Sequence, residues 1–233
     1  MSITVGVFDV FTYAIPGSLY LALIAYISAR LEWINLGVLL HDNTTIVLVV
    51  AAIGSYLVGQ ITYVIGRSVG KRVGFRRIGI DEARAEFLRR VPAAERRPYV
   101  HAHRSILQTA VEVGQQDAAL EIIRLRAIGL MLRNSVPPLA LGAVVGLIET
   151  FAGGKPAFAV SCCAGLLLAA AAADWNSARL SNWADMKTLE TAFWIPGIDQ
   201  AFMQHTAEVA DKRDGPGGAD PQELTGEQAS ADD

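Results

Sequence analysis

The chain has 233 residues, 18% of them charged, a formal net charge of −3 and a mean hydropathy of +0.33. Water-soluble domains carry about 25% charge, so this composition excludes an ordinary soluble enzyme domain and points to a membrane protein. Charge is also uneven: 14 of the 20 Lys and Arg residues fall between Arg67 and Arg133, with apolar runs on both sides.

The first run covers about residues 10–29, twenty residues without a charge. At about 1.5 Å per residue it spans roughly 30 Å, the thickness of a bilayer core. Pro16-Gly17 should kink or locally unwind it. No basic region or clear cleavage site precedes it, so it is expected to be a retained helix and not a signal peptide. The second run, about residues 46–66, carries Gln60, Thr62 and Tyr63. It also carries Ala51-x-x-x-Ser55-x-x-x-Gly59, small residues whose spacing lets helix backbones approach closely in lipid.

Residues 67–133 read as a basic helical domain. Asp81 can cap a helix that runs to Arg90 before Pro92 breaks it. A second helix from Ala94 would show Tyr99, His103, Ile106, Ala110 and Val113 on one face. Asp117 can cap a third, with Leu120, Ile123, Ala127 and Leu130 at helical spacing, that runs directly into the next span. The third span covers about 135–154, with Pro137-Pro138 near its start, Gly142-x-x-x-Gly146 along it and Glu149 near its end. The fourth, about 156–173, is rich in Ala and ends at Asp174. Cys162 and Cys163 are adjacent within it, which suits packing and not a disulfide framework.

The expected fold is therefore all-α: a four-helix transmembrane protein with a helical cytoplasmic domain between spans two and three. Transmembrane helices one and two occupy residues 1–66, the basic domain 67–133, and helices three and four 134–174. An interfacial cytoplasmic helix is expected over 175–211, because Trp175, Trp183 and Trp194 follow span four and Trp favours the headgroup zone. A disordered acidic tail is expected over 212–233. The short connections carry only Arg30 and Lys155. The positive-inside rule thus puts the basic domain and both termini in the cytoplasm, in a multi-pass protein of a bacterial inner membrane.

The basic cluster admits two readings. Lys71 to Arg77 suit topology and contact with anionic lipid headgroups. Arg89, Arg90, Arg96, Arg97 and Arg104 lie farther from the spans, and 13 of the 14 bases are Arg. Arg recognises phosphate bidentately, so a multivalent anion such as a nucleotide or oligonucleotide is the sharper reading. His101 and His103, two apart on a helix, would diverge, which favours surface or anion contact over metal. No metal or cofactor is expected. An ionisable group in a span needs a partner, water or the interface. Glu149 can snorkel to the surface or ring an oligomeric pore. Gln60 is either a path residue or interhelical glue. Neither nucleotide-binding loops nor hydrolase or metalloprotease signatures occur, so no enzyme is expected.

The opening Phe8-Asp9-Val10-Phe11-Thr12-Tyr13-Ala14-Ile15-Pro16-Gly17, followed by four spans around a basic helical loop, resembles the membrane effectors of Hailong-type bacterial anti-phage defence systems. The resemblance is one of layout over about residues 8–200 plus this short phrase. It implies an oligomeric ion channel, with a nucleotidyltransferase encoded alongside whose DNA-like oligomer holds it closed. The combined expectation is a homo-oligomeric, tetrameric channel that depolarises the membrane and is gated by an anionic nucleotide or short oligodeoxynucleotide. Arg89, Arg90, Arg96, Arg97, His101, His103 and Arg104 would bind that ligand, and Gln60 and Glu149 would line the path. One alternative is a non-conducting membrane anchor that recruits a cytoplasmic partner. Another is a lipid- or ion-handling enzyme or transporter subunit that depends on acids such as Asp81, Glu86 or Glu149.

Overall fold

The computed structural model describes residues 3–33, 44–73, 80–152 and 154–203, with side chains described for 10–33, 44–63, 80–152 and 154–203. It is all-helical, without strands among the described residues. The helices are α1 (Ile3–Arg30), α2 (Thr44–Val73), α3 (Ile80–Arg90), α4 (Pro98–His101), α5 (Arg104–Gly114), α6 (Gln116–Ala152) and α7 (Pro156–Phe193), with a 3₁₀ turn at Pro92–Ala94. Residues 198–203 are helical again. Four helices are long and apolar enough to cross a membrane: α1, α2, α6 and α7.

These four pack mainly as a row, α2 on α1, α1 on α6 and α6 on α7. The first contact is made by backbone. A Cβ on Gly17 would overlap the Ser55 carbonyl, and one on Gly59 would overlap the Tyr13 carbonyl. Both helices can cross this closely only because these positions lack side chains. Pro16 sits beside the crossing, fully buried, and α1 continues through it as helix. The second small-residue pair also works within the chain: Gly142 faces Leu166 and Gly146 faces Cys163, both on α7. Elsewhere the row is bare. Ile46, Leu48, Val50, Ile53, Leu57 and Ile61 of α2 are all exposed, an apolar surface that in a membrane faces lipid or other copies.

α6 has 37 residues and α7 has 38. At about 1.5 Å per residue each is roughly 55 Å long, well beyond a bilayer core of about 30 Å. Their apolar halves adjoin the short connection at 153–155, so their charged halves project together at the other end. There they form the floor of a second unit, the head. α3, α4 and α5 close over that floor, and Phe87, Tyr99, Val100, Leu107, Val111, Ile122, Ala184, Leu189 and Ala192 form its core. This is the largest buried cluster described; Val136, Ala170 and Ala173 make a smaller one between the spans.

Three expectations change. α7 does not stop at Asp174: the segment expected to lie along the interface continues the span helix, with Ala184, Leu189 and Ala192 fully buried in the head. Its continuation over 204–211 and the acidic tail lie outside the described residues. The second helix of the basic domain is broken at Ala102, whose extended backbone separates α4 from α5. The buried faces are Leu107 and Val111, not Ile106 and Val113, and Ala119 and Ile122, not Leu120. In each helix two overlapping apolar stripes exist, and the neighbours choose between them.

Gly17→Leu and Gly59→Leu should each lower the melting temperature in detergent, with an overpacking cost of about 1–3 kcal/mol or more. Gly165→Ala, which meets nothing within 4 Å, should leave it unchanged or slightly raised. Equal melting of all three variants would contradict the backbone crossing.

Candidate ligand crevice and the arginine network

The head is held by charge as well as by its apolar core. Asp185 of α7 is 2% exposed and lies 2.8 Å from Arg104 Nη2 of α5 and 3.2 Å from Arg126 Nη2 of α6. Arg126 also donates to Gln108 Oε1 and, at 3.3 Å, to Thr188 Oγ1, whose own hydroxyl donates to Ala184 O at 2.7 Å. One buried carboxylate thus joins three helices. A single carboxylate between two guanidiniums is stable only while both geometries are kept, because removing it strands two buried or half-buried cations.

Arg84 donates to Ala102 O at 2.6 Å and pairs with Asp81 at 3.1 Å, which fixes the break before α5. Glu86 pairs with Arg89 at 2.6 Å and Arg90 at 3.1 Å, and Arg90 reaches Glu190 at 3.8 Å. Hydrogen bonds from Arg89 and then Arg90 hold the Glu86 carboxyl below its usual range. His103 caps α5, its Nδ1 accepting from Ser105 N at 3.4 Å, while His101 Nε2 lies 3.1 Å from Glu95 O. The two histidines stand on either side of the Ala102 break and serve local structure.

Arg97 lies in a different setting. Its Nε pairs with Asp199 Oδ2 at 3.1 Å and its Nη1 donates to Phe193 O at 3.3 Å. The guanidinium stacks 4.8 Å from the Phe193 ring centre and 5.9 Å from that of Tyr99. A crevice of about 460 Å³ opens here, lined by Arg97, Phe193, Trp194, Pro196, Asp199 and Gln200. Trp194 is 73% exposed and meets Phe193 edge-on at 5.2 Å. Gly197, with φ +76°, makes the reversal that brings Asp199 back over Arg97; only glycine takes that conformation without a Cβ penalty. Asp199 Oδ1 and the Tyr99 hydroxyl are buried without a hydrogen-bond partner among the described residues. A buried orphan acceptor asks for a donor.

The expected ligand residues are therefore divided. Arg89 and Arg90 pair with Glu86, Arg104 with Asp185 and Arg97 with Asp199, and the histidines hold turns. Arg97 lines the crevice, and the neighbouring Arg96 is exposed. Sequence reasoning missed Phe193 and Asp199 as crevice residues and took Trp194 for a membrane-interface residue; the Pro196-Gly197 turn was the available signal. Side chains of Lys71, Arg72, Arg76 and Arg77 lie outside the described residues. Gln60 donates to Tyr56 OH at 3.1 Å within α2. Glu149 pairs with Arg30 at 2.8 Å, so its charge is matched inside the chain. Beside the crevice, α5 and residues 195–202 enclose an apolar groove of about 400 Å³, where Ile106, Val113, Ile195 and Ile198 meet.

The chain matches no protein-family model, no curated protein and no solved structure.

Asp185→Ala should destabilise the head by about 3–5 kcal/mol, read as loss of amide protection in α5 during hydrogen exchange. Arg104→Ala should cost less, because Arg126 still faces the carboxylate and Arg104 is 43% exposed. Equal protection in Asp185→Ala and the unaltered protein would contradict this network.

Proposed function

We propose that this chain is a multi-pass membrane effector whose cytoplasmic head takes an anionic nucleotide and passes the event to the spans. The observation that carries the reading is the Arg97 crevice, built at the far end of α7, the helix whose first half is a span. Its chemistry is mixed. Arg97 suits phosphate and Trp194 offers a face for a base.

The head and membrane are joined by unbroken helices. A ligand that moves Arg97 against Phe193 and Asp199 acts on the end of α7, and α7 is packed along α6. Such a ligand shifts the spans only by binding one arrangement more tightly. A 100-fold preference corresponds to about 2.7 kcal/mol. The bare apolar faces of the row suit a homo-oligomer, and the reading is a channel of the bacterial inner membrane that depolarises the cell in anti-phage defence. The positive-inside pattern and the Hailong-type layout support it. The expected site narrows to Arg97, beside Trp194 and its ion partner Asp199, and Glu149 is not needed as a pore ring.

The second reading is a non-conducting anchor that recruits a cytoplasmic partner. The apolar groove beside α5 favours it, with Val113 82% exposed at its wall.

The deciding experiment is planar-bilayer conductance of the purified protein with and without short oligodeoxynucleotides, paired with their binding in nanodiscs. Channel function predicts current that the oligomer suppresses or triggers. Arg97→Ala and Trp194→Ala should each weaken binding about tenfold or more, within the ~1–3 kcal/mol of a stacked base or charge-assisted contact, while Arg89→Ala leaves it unchanged. Binding that ignores both substitutions sinks the crevice. A silent bilayer from folded oligomer moves the function to the anchor.

A further inference from the structure

The end of the row opposite the head carries a cavity of about 590 Å³ between α1, α6 and α7. Its walls are apolar, formed by Leu23, Val145, Phe158 and Leu166, and its rim holds Arg30, Glu149 and Lys155. Pockets that take drug-sized ligands measure about 300–1,000 Å³. Arg30 Nε is engaged by Glu149 Oε1 at 2.8 Å, and Arg30 remains 55% exposed. Lys155 is exposed and its side chain makes no hydrogen bond as the cap of α7. Among the described residues that line the cavity, two cations and one anion leave one net positive charge; Glu32, which also acts on Arg30, lies outside the lining.

The placement of this charge is informative. Arg30 closes the α1 span, Glu149 lies one turn before the end of α6, and Lys155 directly precedes α7. All three therefore mark the level where the apolar spans end, and the apolar walls lie on the hydrocarbon side of it. A water-soluble anion would satisfy Lys155 but leave those walls bare. A zwitterionic lipid would fill the walls but bring its own cation to a positive rim. One ligand class matches both halves.

We propose that this cavity binds an anionic phospholipid, with its phosphate at Lys155 and the outer N–H groups of Arg30 and one acyl chain between Leu23, Val145, Phe158 and Leu166. The proposal rests on the four helices crossing a membrane and is independent of the nucleotide reading. Bound there, the lipid bridges α1 to the α6–α7 pair at the end where no head holds them together.

Cys162 lines the cavity and carries a free thiol, which provides a built-in reporter. The Cys163→Ser protein, with Cys162 as its remaining cysteine, would be reconstituted in phosphatidylcholine vesicles with and without phosphatidylglycerol, and alkylation of Cys162 by N-ethylmaleimide followed by mass spectrometry. Alkylation should slow several-fold with phosphatidylglycerol, and Lys155→Glu should abolish the difference. Equal rates in both vesicles, or protection that survives Lys155→Glu, overturn the proposal. Protection by inorganic phosphate in phosphatidylcholine alone would identify a small-anion site and overturn it too. Native mass spectrometry of the unaltered protein and Lys155→Glu, released from mixed-lipid nanodiscs, gives an answer that does not depend on the cysteine change. Retained phosphatidylglycerol that Lys155→Glu loses supports the site; equal retention overturns it.

Discussion

Two adjacent helices of 37 and 38 residues cannot be accommodated within a bilayer core of about 30 Å. Their surplus length has to project into water, and there it has to be covered. Nearly everything else in the molecule follows from that constraint. The projecting halves of α6 and α7 present Ala119, Ile122, Ala184, Leu189 and Ala192, and the segment between the second and third spans folds down upon them as α3, α4 and α5. The head is thus not a separate domain tethered by a loop. Its floor is made from the same two helices that are long and apolar enough to cross a membrane, and each runs into the head without a break.

Covering a charged surface requires charge to be matched. Asp185 lies where α5, α6 and α7 meet, and Arg104 and Arg126 converge on it. Buried ion pairs contribute less to stability than to geometry, since desolvation offsets much of the attraction. Here the geometry is a fixed register between the covering helices and the floor. The surface pairs of Glu86 with Arg89 and Arg90 do less, because solvent screens exposed charges. Arg97 differs from all of these because it faces an open crevice beside an exposed indole and an unpartnered carboxylate oxygen. Of the arginines that were alike in sequence, Arg89, Arg90 and Arg104 pair within the head, and Arg97 pairs with Asp199 beside an open crevice.

The spans are held by a different chemistry. Lipid tails are as apolar as the side chains they would replace, so close packing decides which helices meet. Gly17 and Gly59 allow α1 and α2 to cross at backbone distance, and Gly142 and Gly146 set α6 against α7. Polar pairs contribute at the ends, as where Arg30 meets Glu149. That pairing joins α1 to α6 and leaves Lys155 as the surplus cation at the rim.

How much could be read beforehand varies with the range of the interaction. The four apolar helices, the small-residue stripes and the Asp117 helix running into the third span were all legible, because transfer into hydrocarbon and helix formation depend on residues near in sequence. The buried faces of α5 and α6 were not. Ile106–Ala110–Val113 and Leu107–Val111 are both apolar stripes on one short helix, and only the floor beneath selects the second. The partners of Arg97, Arg104 and Glu149 lie on other helices, Arg97 and Phe193 being 96 residues apart, and no local pattern encodes such pairings. The sequence by itself determined that four helices are apolar enough to cross a membrane and where the charge between them is concentrated. Tertiary structure decided which arginines are consumed in ion pairs, that α7 passes from span into head without a break, and where cavities remain, because each depends on surfaces brought together only by folding.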